Sequence, residues 1–138
     1  IFRCGNVYGY SRSMRFDAVI NKFVFEANFL RRITIHGDGS QIRSFIHIDQ
    51  LTRALCNVLH ASLPAGTYNL VTRTNSIMDV VDVLKQIIPE LEFILINQHI
   101  QFNHLRIRPN ENINQELGIT TMYSLHEELK EFLGKFSF

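Results

Sequence analysis

At 138 residues, 46% hydrophobic and 20% charged, the sequence has the apolar content of one globular domain and lacks the charge excess of a disordered chain. A formal charge of +1 gives no general attraction to nucleic acid or an anionic membrane, so neither is expected as a partner. Two cysteines, Cys4 and Cys56, are too few for a disulfide framework and lack the spacing of a metal site; with no membrane-length apolar run and no leader-like opening, a soluble, cytoplasmic protein is expected.

Ile1 to Cys4 reads as a strand already under way, with no turn or cap before it, as expected of a piece of something longer. Gly5-Asn6-Val7-Tyr8-Gly9 then reads as a ligand-facing loop, because its two glycines permit backbone geometry that other residues avoid. From Phe16 to Leu30 the positions Phe16, Val19, Ile20, Phe23, Val24, Ala27 and Leu30 carry the three-and-four spacing of an amphipathic helix. Ile33 to His36 is a β-branched strand, and a Gly-rich turn leads from it to a second short strand, Phe45 to Ile48. Asp49 reads as the N-cap of a helix through Leu51, Ala54, Leu55, Val58 and Leu59, closed by Pro64 and Gly66. Thr67 to Val71 is a strand, and Ser76 caps a helix carrying Ile77, Val80, Val81, Leu84, Ile87 and Ile88 up to Pro89. Phe93 to Ile96 is another strand, and Asn97 to Asn110 an extended loop. Two helices close the pattern: Asn112 to Leu117 before Gly118, and Ser124 to Phe132 before Gly134, with Ser124 and Glu127 as a capping box.

The alternation is that of an α/β or α+β layer, but four or five short strands without a Gly-x-Gly-x-x-Gly turn make an incomplete sheet. Three segments carry a resemblance. Arg3-Cys4-Gly5-Asn6-Val7-Tyr8-Gly9, the stretch from Gly37 to Asp49, and Gly66-Thr67-Tyr68-Asn69-Leu70 stand in order and at the right spacing, followed by Glu116-Leu117-Gly118 and a Ser-Leu-x-Glu-x-Leu helix. Together they resemble the carboxy-terminal half of an extended short-chain dehydrogenase/reductase, in the NAD-dependent epimerase/dehydratase family that acts on nucleotide sugars. The fold this implies is the substrate-binding part of such an enzyme, with the last strands of a Rossmann-type sheet.

The same resemblance implies what the chain lacks and what it keeps. The family binds NAD at a Gly-rich first turn and reacts through Tyr-x-x-x-Lys; both precede the strand at which this sequence opens, and none of Tyr8, Tyr10, Tyr68 and Tyr123 has lysine four residues on. A polypeptide without catalytic residues is therefore expected, one that neither turns over alone nor binds NAD tightly. Its implied substrate-binding residues are Asn6 and Arg43 on the sugar diphosphate, Thr34 and His36 near the base, Val19 on the covering helix, and Arg106 or Arg108 as a second phosphate-side arginine, with Arg108 slightly preferred. Cys4 is implied to pass the nicotinamide. Ser44, Gln50 and Val71 depart from the family's frequent aspartate, second acidic residue and glycine, which leaves the sugar open.

Plainer readings compete at several positions. Taken alone, Arg43 is a strand-end arginine paired with Asp38 or Asp49; the register of the three segments reverses that preference. His47 with Asp49 reads as structural rather than as a relay, His99 and His104 do not form a metal cluster, and Cys4 reads as a small buried hydrophobe. Phe23, Phe25 and Phe29 read as a core stripe with Phe25 out of phase. Unpaired strand edges predict self-association, or pairing with a missing amino-terminal half. The alternative functional class is a noncatalytic interaction domain built on the same fold.

Overall fold

The computed structural model describes residues 1–100, 102–121 and 123–136. Helix α1 (Val19–Leu30) buries Ile20, Phe23, Val24 and Ala27 along one stripe. Strands β3 (Arg32–His36) and β7 (Glu92–Ile96) pair in parallel beneath it, with Ile33 and Ile35 fully inside. Helix α3 (Ile77–Ile87) starts at a reciprocal cap, Ser76 Oγ accepting the Asp79 N–H while the Asp79 carboxylate accepts the Ser76 N–H, and it buries Ile77, Val80, Val81 and Leu84. Helix α5 (Leu125–Gly134) repeats the device with Ser124 and Glu127 and adds Leu129 and Phe132 to the same core. Each such side chain taken from water contributes about 1.5–3 kcal/mol, so this apolar cluster outweighs any single polar contact.

A second, smaller core lies on the other face of strand β4 (Ile42–His47). Successive strand residues point to opposite faces, so Phe45 enters the first core and Ile46 the second, where Ala54 of α2 (Ile48–Val58) meets Leu70 of β5 (Tyr68–Leu70) and Leu117 after α4 (Glu111–Glu116). Strand β4 is also central in its sheet, pairing in parallel with β2 (Asn6–Tyr8) and antiparallel with β6 (Arg73–Ser76). Among the described residues, strand β1 (Phe2–Cys4) pairs only with β5, in parallel. Gly5 is the point at which the chain passes from β1 to β2. A Cβ there would meet the Ser44 carbonyl oxygen at 2.9 Å, so the crossing needs glycine.

Several expectations are corrected by tertiary context. The segment expected as a glycine loop contains strand β2, held by pairing with β4, and β6 forms from the polar run Arg73–Ser76 because β4 supplies its ladder. Helix α1 begins at Val19, and Phe16 and Leu30 stay 54% and 63% exposed. Phe29 as well as Phe25 lies outside the core stripe; the two exposed rings pack on each other and on the buried Phe136 at the edge of the core. His47, not Asp49, caps α2, since β4 runs into the helix without a turn and His47 Nδ1 accepts the Asp49 N–H at 3.3 Å. That entry angle buries Gln50 and Ala54 and leaves Leu55 and Leu59 exposed. Cys4 is exposed rather than buried because β1 has a partner on one edge only, and both cysteines are free thiols.

The caps and turns make an acid-sensitive set. Hydrogen bonds from the Ser124 N–H and hydroxyl hold the Glu127 carboxyl below its usual range, and the Ser40 hydroxyl and N–H do the same for Asp38 in the β3–β4 turn. A carboxyl depressed in the folded state stabilises above its unfolded pKa, and that contribution is lost as pH falls through the folded value. Stability measured in urea is therefore expected to decline below about pH 4. Glu127→Gln should show a smaller decline than the native chain; an equal one would count against the cap as a source.

Candidate functional site

The amino end of β2, the carboxyl end of β3 and the start of α1 surround a cleft of about 510 Å³. Asn6, Val19, His36 and Arg43 line it, joined by Arg15, Asp17, Gln41, Ile77 and Phe102. A second cleft of about 400 Å³, lined by Gly5, Tyr8, Gly9, Ser11, Ser13 and Met14 among others, shares Asn6, Arg15 and Ala18 with the first. The two clefts therefore adjoin across Asn6, Arg15 and Ala18.

Asn6 is positioned by β2, in register with Phe45, and its Nδ2 donates to the Ser44 carbonyl at 3.2 Å. Gly9 closes the strand at φ +117°, in the region that favours glycine. Asn21, buried on α1, accepts the Gly9 N–H at 3.1 Å and donates to the Arg15 carbonyl at 3.0 Å, tying the wall of one cleft to that of the other. Nothing in the periodicity singled out Asn21; a polar residue inside an otherwise apolar stripe was the available signal.

Arg43 is held by neutral acceptors. Nη1 donates to the Ile42 carbonyl at 2.9 Å and the Asn103 carbonyl at 2.6 Å, and Nη2 to Gln41 Oε1 at 3.2 Å. Among the described residues no carboxylate pairs with it: Asp38 is engaged with Ser40, and Asp17, on the same cleft, is paired with Arg15 at 2.6 Å. The guanidinium thus keeps its full charge and a fixed plane, a state suited to an anionic, planar or bidentate ligand.

Other expected residues stand elsewhere. Thr34 lies mid-strand with its N–H on the Glu26 carboxylate at 3.0 Å, and it does not line the cleft. Arg106 and Arg108 are exposed on the long loop outside the lining; Asn69 Nδ2 reaches the Arg108 carbonyl at 3.1 Å. Cys4 lines neither cleft, and desolvation pushes its thiol pKa up, away from reactivity. Arg15, Gln41 and Phe102 were not singled out from the sequence as cleft residues. His47 has a structural setting, capping α2 and packing edge-on against Tyr8 with ring centroids 5.2 Å apart. No group of three metal-ligating side chains occurs among the described residues.

The fold is that of the extended short-chain dehydrogenase/reductases. A solved NAD-dependent NDP-hexosamine 5,6-dehydratase of tunicamycin biosynthesis superposes with a TM-score of 0.80 over 96% of this chain and 43% of its own, at 21% identity. A Bacillus cereus UDP-glucuronic acid 4-epimerase, solved with UDP-glucuronic acid and NAD, gives 0.78 over 99% and 45%, at 19% identity. The sequence profile of the NAD dependent epimerase/dehydratase family matches residues 1–70, and the chain belongs to that family. Human dTDP-D-glucose 4,6-dehydratase is 35% identical over 88 residues, which are 64% of this chain and 24% of that enzyme. The chain thus spans about a quarter of the length of the curated relatives it matches.

Proposed function

We propose that this chain is the nucleotide-sugar-binding portion of an NAD-dependent sugar epimerase or dehydratase, and that alone it does not catalyse. The observation that carries this reading is Arg43, a charge-bearing fork without a carboxylate partner among the described residues, facing a cleft it shares with Asn6. A diphosphate supplies the anionic oxygens such a fork matches; Asn6, common to both clefts, can donate to it, and His36 and Phe102 offer rings where a base would lie. Arg106 and Arg108, outside the lining, could join only by movement of the loop.

NAD is the cofactor of the complete enzyme in this reading. Within these 138 residues there is no Gly-x-Gly-x-x-Gly turn and no Tyr-x-x-x-Lys, so they do not compose an NAD site of their own. What they offer it is a wall near Cys4 and Gly5. No hydride or proton transfer follows from the groups present.

Calorimetric titration of the polypeptide with UDP-, dTDP- and GDP-sugars tests the reading. Binding in the micromolar-to-millimolar range to at least one of them is expected, without turnover in an NAD-reduction or epimerisation assay. A second reading, a noncatalytic interaction domain, draws on the aromatic surface of Tyr10, Phe16, Phe25 and Phe29. Stable self-association without nucleotide-sugar binding would select it.

A further inference from the structure

The long loop between β7 and α4 is strapped to β4 where it passes the cleft. Ile42 N–H donates to His104 Nδ1 at 3.1 Å, and Leu105 N–H donates to the Ile42 carbonyl at 2.9 Å, making a parallel bridge between Arg43 and Leu105. The Asn103 carbonyl accepts from Arg43, and Ile107 N–H donates to the buried Ser44 hydroxyl at 2.8 Å. Phe102 lies over Gly37, where a Cβ would come within 2.9 Å of its ring, and forms part of the cleft wall. The strap thus supplies both a wall and one of the acceptors that orient the guanidinium.

His104 is the titratable fastening. Only an imidazole with a lone pair on Nδ1 can accept the Ile42 N–H; the imidazolium carries N–H at both nitrogens and would set donor against donor. Asp38 interacts electrostatically with His104 from the β3–β4 turn; Arg43 follows its hydrogen-bond partner Ile42 on β4, and Arg106 lies two residues further along the strap. Asp38 gives an imidazolium a carboxylate to turn toward, while Arg43 and Arg106 are of like charge. Building on the nucleotide-sugar reading, we propose that His104 is a positioning residue. Its neutral imidazole latches the strap so that the Asn103 carbonyl fixes Arg43 toward the diphosphate, and its protonation unlatches the strap and weakens that grip.

UDP-glucose, whose diphosphate is esterified at both ends and keeps its charge across the interval, would be titrated calorimetrically at about pH 7.5 and about pH 5.5, on either side of the usual histidine range. The native chain is expected to lose about fivefold in affinity on acidification, the worth of one hydrogen bond. His104→Asn, whose Oδ1 replaces Nδ1 as a non-titrating acceptor, should escape this loss, and His104→Ala should bind weakly at both pH values. His36 also lines the cleft, and its protonation would favour the diphosphate in every variant alike, so the informative quantity is the difference between native and His104→Asn. Hydrogen exchange without ligand, corrected for intrinsic pH dependence, should show Ile42, Leu105 and Ile107 amides opening in His104→Ala and in the acidified native chain but not in His104→Asn. Equal pH dependence in native and His104→Asn, or native affinity in His104→Ala, overturns the proposal and leaves the site reading intact. Exchange that reports the latch in a chain that does not bind UDP-glucose instead overturns the site reading and the positioning role, while the latch stands.

Discussion

Glu128→Ala is expected to destabilise the protein by about 3–5 kcal/mol, enough to unfold a domain of ordinary stability. Glu128 is 5% exposed on α5, and its Oε2 accepts from the Tyr8 hydroxyl on β2 and from Arg73 Nη2 on β6 at 2.8 Å. The Arg73 side chain is itself only 11% exposed, and it also donates to the Tyr123 carbonyl at 3.0 Å. Removing the carboxylate therefore strands a buried guanidinium, whose charge is costlier than the lost packing. The Tyr8 phenol, already pushed to a raised pKa chiefly by burial, would lose its acceptor as well. Glu128→Gln keeps the shape and an acceptor oxygen but not the charge, and should fall between the two. Urea unfolding decides the matter: a loss below about 1 kcal/mol for Glu128→Ala would mean the cluster is solvated and contributes little.

Arg43→Ala is expected to lower affinity for a nucleotide sugar by roughly 30- to 150-fold, about 2–3 kcal/mol for a charge-assisted pair. Arg43→Lys should recover part of this, since it restores the charge without the fork. The substitution also removes the bond to the Asn103 carbonyl, so the thermal midpoint must be followed alongside. A variant that melts as the native chain does and still binds within about threefold would remove Arg43 from the site, because such a change is below the worth of one hydrogen bond.

What the sequence makes legible here is what is encoded locally. The stripes of α1 and α3 and the Ser76 and Ser124 caps lie within a few residues of one another, and their physics does not require knowledge of the rest of the chain. Strand β6 and the His47 cap are different, since one exists through β4 and the other through the angle at which β4 enters α2. The cleft divides in the same way. Asn6, His36 and Arg43 lie near strand ends, where turn residues announce them, whereas Phe102 arrives from some sixty residues away along an unpatterned loop. The family resemblance implies Thr34 beside His36 near the base, yet the Thr34 N–H is taken by Glu26 and its place is mid-strand.

Strand β4 has one further consequence. It is the common wall of both cores and also the carrier of Arg43, so neither core can melt without disturbing the cleft. A ligand held there would act on cooperative unfolding of the whole unit rather than on fraying of one segment. At a concentration a hundredfold above its dissociation constant it would add about 2.7 kcal/mol to global stability. Thermal-shift screening is therefore a suitable first assay for this polypeptide, able to report occupancy without any turnover.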